Sequence, residues 1–139
     1  MPDNAAMVAS IFEAWERRDY DAVVKDMTDD VMVSASGVDI KGKADVKAWY
    51  ASWAVACPDG LAGAVGAAAS GDTAVIEGLY TGTNTGPFGP FPATGRTVSM
   101  PWANVYRFNG AGKIIGVSAY HDTLLLMTQL GHAEPLPQG

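Results

Sequence analysis

The sequence has little that would support a secreted, membrane or redox protein. It contains a single cysteine, Cys57, which cannot form an internal disulfide, so we expect a reducing cytoplasm as its location. The N-terminus lacks the basic start and apolar run of a signal peptide, and no apolar run approaches the ~20 residues that span a bilayer. We interpret Cys57 as a buried structural thiol, because nothing nearby in the sequence would activate it.

Basic residues are also scarce. Nine Lys and Arg residues stand against fifteen Asp and Glu residues, which gives a net charge of −6, and only Arg17 and Arg18 are adjacent. Binding to nucleic acid needs clustered positive charge, so we exclude a nucleic-acid partner. The two histidines, His121 and His132, lack the spacing and the companions of a ligand set, so we predict no metal site.

What is present is typical of one globular domain. A length of 139 residues is usual for a single domain, and a hydrophobic content of 48% is enough for a core that encloses a cavity. The chain shows neither an internal repeat nor a linker. We therefore predict one domain over residues 1–139, with a flexible tail at 134–139.

The N-terminal part is predicted to contain three helices. Apolar residues at helical spacing predict the first over residues 4–18, and Asp19 is placed to cap a second that runs to Met27. A short strand at 31–33 follows. The third helix starts near Asp45 and stops at Pro58. Its inward stripe consists of Val46, Trp49, Tyr50, Trp53 and Cys57.

The C-terminal part is predicted to form antiparallel strands over residues 61–70, 73–81, 98–108 and from 114 onward. Asn109-Gly110 tolerates the positive φ of a tight hairpin turn between the last two strands. Residues 82–95 contain too many Gly and Pro for a regular element, and their Phe88 and Phe91 indicate a flap that buries aromatics over a pocket mouth. Asp122 is placed to cap a final helix that stops at Gly131.

This order of elements predicts an α+β fold. A curved antiparallel sheet would wrap around the three N-terminal helices to form a cone, or α+β barrel, with the last helix at the C-terminus. The concave end of such a cone is where a small ligand would bind.

Two polar residues interrupt apolar strand faces. Asn104 lies in the middle of one apolar face, and the return strand places Ile115, Val117, Ala119 and His121 on one face. His121 is a candidate general base, and Asn104 is a candidate donor to an enolate oxygen. The alternatives are structural: a histidine bonded to the backbone at a strand end, and an amide bonded to a neighbouring strand or to water.

Aromatic residues supply the rest of the predicted pocket. From sequence alone they are either core or cavity wall, and Tyr50 and Tyr80 are also candidate donors to a ligand carbonyl. Asp122 is better explained as a helix cap and is a secondary candidate for the site. The predicted pocket lining is Trp15, Trp49, Trp53, Tyr80, Trp102, Val117 and Ala119.

Short motifs over nearly the whole chain resemble one known family. They are Ala14-Trp15, Arg18-Asp19, Asp29-Asp30-Val31, Gly42-Lys43, the loop from Gly82 to Phe88, Ala93-Thr94-Gly95-Arg96, Val105-Tyr106-Arg107-Phe108, Gly112-Lys113-Ile114, Tyr120-His121-Asp122 and Gln129-Leu130-Gly131. The chain resembles the SnoaL-like polyketide cyclases of the nuclear transport factor 2-like superfamily. The resemblance implies a cystatin-like cone with a deep apolar pocket, a homodimer formed through the outer face of the sheet, and neither a metal nor an organic cofactor.

The resemblance also assigns positions to catalytic groups. Ketosteroid isomerases place their general base at Ala35, an oxyanion-binding Tyr at Ile11, a second oxyanion group at Asn104 and a supporting Tyr at Tyr50. The catalytic Asp of the cyclases and the base Asp of limonene-epoxide hydrolases fall on Ala119. The other hydrolase positions are Ala35, Gly78 and Tyr80. The Thr-His-Thr-Gly loop of the family has Asn84 in place of its histidine.

Three functional hypotheses follow. The first is a cofactor-free cyclase or isomerase that acts on a polyketide-derived or polycyclic carbonyl compound, with His121 as base and Asn104 and Tyr50 stabilising the enolate. The second is a non-catalytic binding module for an apolar small molecule, which the lack of a carboxylate at Ala35 and Ala119 favours. The third, an epoxide hydrolase, is disfavoured because its Arg and Asp positions are vacant.

Overall fold

The computed structural model describes residues 3–135 and 137, and within them four helices and six strands follow the predicted order apart from one added strand. The helices are α1 (Asn4–Glu16), α2 (Tyr20–Val24), α3 (Lys43–Ala56) and α4 (Thr123–Leu130). The strands are β1 (Met27–Ala35), β2 (Val38–Lys41), β3 (Ala64–Ser70), β4 (Thr73–Thr83), β5 (Thr97–Phe108) and β6 (Ile114–His121). The tail predicted at 134–139 falls partly on residues 136, 138 and 139, which lie outside the described residues.

The six strands form one sheet in the order β2-β1-β6-β5-β4-β3. Neighbouring strands are antiparallel, as predicted, except that β1 and β6 run parallel. β1 follows α2 and therefore enters the sheet beside β6, the last strand of the chain. This parallel pair aligns Ala35 with Ala119 and brings the turn after β1 close to the end of β6.

The segment between α2 and α3 contains more strand than the sequence pattern predicted. The predicted short strand at 31–33 extends over all of β1, and a second strand, β2, pairs with it. Consequently α2 ends at Val24 and not at Met27. Asp29 and Asp30 are both exposed in β1, so their carboxylates remain solvated and do not interrupt the strand.

Aspartate side chains start three of the helices. Asp3, Asp19 and Asp122 each accept a hydrogen bond from a backbone N–H in the first turn of α1, α2 and α4. The predicted capping roles of Asp19 and Asp122 are therefore confirmed. Each such cap contributes typically ~1 kcal/mol to the stability of its helix. Gly131, at φ 87°, ends α4 in the left-handed conformation that glycine tolerates best.

The closing Gln129-Leu130-Gly131 motif fixes α4 to the sheet. Gln129 Oε1 accepts from the Ser99 amide at 2.9 Å, and Gln129 Nε2 donates to the Ser99 carbonyl at 2.9 Å. β6 ends at His121, opposite Trp102, so it provides no partner for the backbone of Ser99. The carboxamide of Gln129 substitutes for that missing strand.

The helices pack on the inner face of the sheet and enclose the core. The inner faces of β4, β5 and β6 follow the predicted alternation, with one correction in β6. Ile115 was predicted to point inward, but it is 44% exposed while Ile114 is fully buried. The pairing register shifts between Arg107 and Phe108, which moves the start of β6 by one residue. In the described part of the chain, no helix combines the length and the apolarity that crossing a membrane would require.

Candidate functional site

A cavity lies between the helices and the inner face of the sheet. Its volume, measured for the centres of water-sized molecules, is about 60 Å³. Since one water needs about 10–15 Å³ on this measure, the cavity holds a few waters or one small ligand group. Its lining residues are Phe12, Trp15, Trp49, Tyr50, Trp53, Ala62, Tyr80, Met100, Trp102, Asn104, Ala119 and His121.

The predicted pocket residues therefore come together, with one exception. Val117 is 2% exposed and pairs with Tyr106, so it belongs to the core and does not line the cavity. The sequence analysis did not identify Phe12, Ala62 and Met100. The first and last of these were visible as inward positions of α1 and β5, whereas Ala62 reaches the cavity from a loop whose path the sequence does not reveal.

The aromatic walls turn their polar edges away from the cavity. Each wall group named here donates to a backbone carbonyl, which leaves mainly ring carbon facing the cavity. The bonds are Trp15 Nε1 to the carbonyl of Tyr50 (2.8 Å), Trp102 Nε1 to that of Ala62 (2.8 Å) and Tyr80 Oη to that of Trp53 (2.6 Å). These bonds also hold the rings in fixed orientations, so the shape of the cavity is set by α1, α3 and the sheet together.

Asn104, Tyr106 and Tyr50 form a hydrogen-bond chain in the cavity floor. Asn104 is 5% exposed, and its Nδ2 donates to Tyr106 Oη at 3.3 Å. The hydroxyl oxygens of Tyr106 and Tyr50 are 2.7 Å apart. Burial raises the pKa of Tyr106 to about 12, and burial also raises the pKa of Tyr50 well above its usual value. Both phenols therefore keep their protons at neutral pH.

The hydrogen bonds of this three-residue network can run in either of two directions. If Asn104 donates to Tyr106, the hydroxyl of Tyr106 donates to Tyr50 and the proton of Tyr50 is available to a ligand. If the carboxamide is rotated by 180°, the donation runs from Tyr50 through Tyr106 to Asn104, and the amide N–H groups of Asn104 are available instead. In both directions one donor is offered to the cavity. Such a donor is what a developing enolate oxygen requires.

His121 lies at the rim of the same cavity. Its Nε2 is 3.0 Å from Ser36 Oγ, and its ring stands at 86° to that of Trp53 with 5.2 Å between centroids. Burial lowers the pKa of His121, and the nearby carboxylate of Asp122 partly opposes that shift. The imidazole is therefore neutral at pH 7, the state in which a general base works.

Strand pairing relates the two polar groups directly. His121 is opposite Trp102, and Asn104 is opposite Ala119, so Asn104 and His121 are diagonal neighbours on the inner face. Such neighbours are on the order of 7–8 Å apart, which leaves room for a reacting group between them. Ala119, between these side chains, aligns with Ala35 of β1. The two positions at which the related enzymes place carboxylates are thus adjacent and both apolar.

The flap, residues 84–96, is held by a buried residue that the sequence analysis treated only as a departure from the family motif. Asn84 is 1% exposed. Its Nδ2 donates to the carbonyls of Ala56 and Gly86, and its Oδ1 accepts from the amide and hydroxyl of Thr94. It therefore ties both ends of the flap to the end of α3. The sequence signal that could have identified Asn84 is its polar side chain within a Gly- and Pro-rich loop.

The flap covers the cavity only in part. Phe88 packs on Trp53 with 5.3 Å between centroids, as the predicted flap requires. Phe91 is 38% exposed and instead lies 5.1 Å from the ring of His132. His132, which had no predicted contact, also lies 3.2 Å from the carbonyl of Pro92. Within the described residues, no group of three or more His, Cys, Asp or Glu side chains is placed to hold a metal ion.

Comparisons with known proteins agree with this architecture. The SnoaL-like domain family matches residues 8–117. Among solved structures, a protein of Jannaschia sp. CCS1, provisionally named a SnoaL-like polyketide cyclase, has a TM-score of 0.84 at 23% identity over 95% of this chain and 93% of its own. No curated protein matches the sequence significantly.

Two further solved structures show how widely the fold is used. AclR of Streptomyces galilaeus, provisionally named a hydroxylase, has a TM-score of 0.80 at 22% identity over 96% of this chain and 83% of its own. A protein of Catenulispora acidiphila with a ketosteroid isomerase-like fold, in complex with trimethylamine, has a TM-score of 0.74 at 20% identity over 94% of this chain and 97% of its own. At these identities the likeness establishes the fold alone.

The mixed sheet, the helices on its inner face and the partly open cavity between them define an α+β fold of the nuclear transport factor 2-like, ketosteroid isomerase-like kind. The SnoaL-like domain model matches most of this chain, residues 8–117. The chain therefore belongs to the SnoaL-like domain family.

Proposed function

We propose that this protein is a cofactor-free cyclase or isomerase that removes a proton from carbon next to a carbonyl group. The observation that carries the proposal is the lining of one apolar cavity by a neutral imidazole and by a chain of buried hydrogen-bond donors. His121 is the general base. Asn104 or Tyr50, whichever ends the chain as a donor, stabilises the enolate oxygen.

The proposed step is a proton transfer that the cavity favours for electrostatic reasons. His121 takes the proton from the carbon, the C–H electron pair becomes the enolate, and the negative charge moves to the carbonyl oxygen. A donor at that oxygen is stronger in an apolar cavity than in water, because little solvent competes for the charge. The enolate carbon then attacks a second carbonyl in a cyclase, or the imidazolium returns the proton to another carbon in an isomerase.

The size of the cavity restricts how a substrate binds. A cavity of about 60 Å³ accepts the reacting carbonyl and its neighbours, but not a whole fused-ring system. Trp49, Trp53 and Trp102 are half-buried at the rim, and Phe88 of the flap packs on Trp53. We infer that a polycyclic or polyketide substrate inserts its reacting end while the flap and these indoles move apart around the rest of the molecule.

Deuterium exchange tests the proposed chemistry without knowledge of the natural product. Polycyclic β-dicarbonyl compounds would be incubated with the protein in D₂O, and exchange of the acidic C–H followed by NMR. His121→Gln is expected to slow exchange on the order of 10²-fold or more, and Asn104→Leu by about 10²-fold. His132→Gln, the other histidine, is the matched control and keeps the wild-type rate. Equal exchange by folded His121→Gln and wild type would refute the proposal.

A second candidate function is binding without chemistry. The small cavity and the alanines at positions 35 and 119 favour an apolar small molecule as the ligand. The ketosteroid isomerase-like neighbour in complex with trimethylamine supports a small ligand in this fold. Thermal shift with small hydrophobic and amine compounds distinguishes the candidates. Binding alone predicts that a compound raises Tm equally in wild type, His121→Gln and Asn104→Leu, and that none of them shows exchange.

We also propose that the protein is a cytoplasmic homodimer. Large apolar side chains on the outer face of the sheet support the dimer, since they stay 41–59% exposed. They are Val75, Leu79, Ile115 and Tyr120. Light scattering should give twice the chain mass for the wild type and the monomer mass for Leu79→Lys combined with Tyr120→Lys. A monomeric wild type at micromolar concentration would contradict the dimer.

A further inference from the structure

The imidazole of His121 separates two spaces of different character. On one side is the aromatic cavity, and on the other is an open cleft between the ends of β1 and β6. The polar residues of this outer cleft are Ser34, Ser36, Asp39, Ser118 and Tyr120. Ala119 and His121 line both spaces. A titrating side chain with an apolar cavity on one side and a polar cleft on the other is placed to move protons between them.

The hydroxyl of Ser36 contacts the ring of His121, and the hydroxyl of Thr123 contacts Ser36 in turn. Ser36 Oγ is 3.0 Å from His121 Nε2 and 2.8 Å from Thr123 Oγ1. Ser36 belongs to the turn between β1 and β2, His121 ends β6, and Thr123 begins α4. The turn after β1, the end of β6 and the start of α4 are therefore joined by one chain of two hydrogen bonds. Because Nε2 faces Ser36, Nδ1 is the ring nitrogen that remains for the cavity.

The backbone of Ser36 adopts a conformation that its residue type does not favour. Its φ is 52°, and that of Gly37 is 78°, in the two-residue turn that joins the paired residues Ala35 and Val38. Asn and Gly are the usual residues in turns with positive φ at both central positions, because other residues are strained there. Strained residues that persist often serve a site, and here the strained residue is the one that contacts His121.

We propose that Ser36 is a positioning residue for His121: it accepts the Nε2–H hydrogen bond, so that the neutral ring presents the bare Nδ1 to the cavity, and with Thr123 it relays the Nε2 proton of the imidazolium to solvent. This inference rests on the proposed function for its catalytic meaning. The hydrogen-bond geometry itself does not depend on that function.

The proton balance is simple. Nδ1 takes a proton from the substrate carbon, and the ring becomes an imidazolium. Its Nε2–H proton passes to Ser36 Oγ while the Ser36 proton passes to Thr123 Oγ1, and Thr123 releases its own proton to water. The ring is then neutral with its proton on Nδ1. The Nδ1 proton then passes to the product, and a proton returns from water to Nε2. Both hydroxyls rotate back, and the starting state is restored.

Other titratable and charged groups near His121 are few. Asp122 is its chain neighbour and caps α4, Asp39 and Tyr120 face the outer cleft, and Tyr50 and Tyr80 face the cavity. α3 contributes Trp53, which does not titrate. Among the described residues, only Ser36 forms a hydrogen bond with the ring. A hydroxyl can accept from Nε2–H or donate to a bare Nε2, and in the proposed arrangement Ser36 accepts from Nε2–H and donates to Thr123.

The test is NMR of the two histidine rings in the intact protein. Nitrogen shifts of ¹⁵N-labelled His121 report its tautomer, and His132 serves as an internal reference. We expect the Nε2–H tautomer in the wild type above the pKa of the ring. Ser36→Gly suits the positive φ of the turn, so it should fold while removing the hydroxyl. It should change the tautomer ratio about fivefold, the effect of losing one hydrogen bond.

Two further variants make the test specific. Thr123→Val should give a smaller change in the same direction, and Ser34→Ala should give none, because Ser34 bonds Asp39 instead. A wild-type ring with its proton on Nδ1, or an unchanged ratio in Ser36→Gly, would overturn the inference.

The two proposals can fail separately. A changed ratio in a protein that never exchanges deuterium supports the positioning role and refutes the proposed function. Deuterium exchange together with an unchanged ratio supports the proposed function and refutes the positioning role. If both proposals hold, Ser36→Gly should lower kcat about tenfold with KM unchanged, within the range of general base catalysis.

Discussion

The hydroxyl oxygens of Tyr50 and Tyr106 lie 2.7 Å apart, although the residues are 56 positions apart in the chain. One comes from α3 and the other from β5, so the bond joins the helix layer to the sheet at the cavity floor. Asn104 extends the bond into a chain of three polar groups in an otherwise apolar interior. Removal of one member of such a buried network leaves its neighbours without partners, which makes its members informative targets.

Tyr106→Phe removes the middle of this chain and should destabilise the fold. The change leaves Tyr50 and Asn104 each without a buried partner, at a cost of roughly 1–3 kcal/mol in the free energy of unfolding. Urea denaturation measures it. Tyr120→Phe is the control, because Tyr120 is 59% exposed on the outer face of the same sheet. Equal urea midpoints for the two variants would show that the hydrogen-bond chain of Asn104, Tyr106 and Tyr50 contributes nothing to stability.

Asn84→Ala should open the flap as well as weaken the fold. The substitution removes the hydrogen bonds to the carbonyls of Ala56 and Gly86 and to the amide and hydroxyl of Thr94, although the Ala56 carbonyl still accepts from the Gly86 amide. We expect a loss of roughly 2–3 kcal/mol and faster proteolysis within residues 84–96. Thr85→Ala, at the exposed neighbouring position, is the control. A stable variant with a protease-resistant flap would contradict the role assigned to Asn84.

The pH dependence of the protein should reflect the lowered pKa of His121. The unfolded chain binds a proton at this residue below pH 6.5, while the folded chain resists it until lower pH. The contribution of His121 to stability is therefore complete above pH 6.5 and is lost as the pH falls through the folded pKa. Turnover by the neutral base should fall over the same range.

Thermal unfolding from pH 7.5 to 4.5 checks this, with His121→Gln as the reference, since its glutamine does not titrate. The difference in Tm between wild type and variant should shrink as the pH falls below 6.5. A difference that is constant over the whole range would show that His121 titrates alike in the folded and unfolded chains.

Local signals in the sequence predicted the fold well. The helix stripe through Trp49 and Trp53, the aspartate caps and the alternation in β5 each depend on neighbouring residues, so they were available without the structure. Pairing between distant segments was not available. The parallel pairing of β1 with β6, and the register shift that turns Ile115 outward, depend on the whole sheet.

The residues of the site also divide into those with a local sequence signal and those that depend on long-range pairing. Asn104 and His121 were detectable because a polar residue on an apolar strand face breaks the local pattern. Tyr106 was not assigned to the site, because a tyrosine fits that face and its bond to Tyr50 crosses the core. Ser36 was missed for a similar reason: its proximity to His121 exists only once β1 and β6 are paired.

Ala119→Asp tests whether the cavity supports a carboxylate base. Ala119 lies on the cavity face opposite Asn104 and two residues before His121. The resemblance to the SnoaL-like cyclases aligns their catalytic Asp with this position. Desolvation would raise the pKa of the new carboxyl, which makes it a stronger base for an acidic carbon. The informative background is His121→Gln, in which the native base is absent. We expect the double variant to recover deuterium exchange at least about tenfold over His121→Gln alone, within the range of general base catalysis.

Ala119→Asn in the same background separates basicity from shape. It has nearly the volume of aspartate but takes up no proton near neutral pH, so exchange should stay at the level of His121→Gln. If the asparagine recovers exchange as well as the aspartate, the gain comes from polarity or altered packing and not from a base. Both variants could also remain folded without recovering exchange. The donors at Asn104 and Tyr50 would then not face the position that a base at 119 serves, and the enolate geometry proposed for this cavity would be wrong.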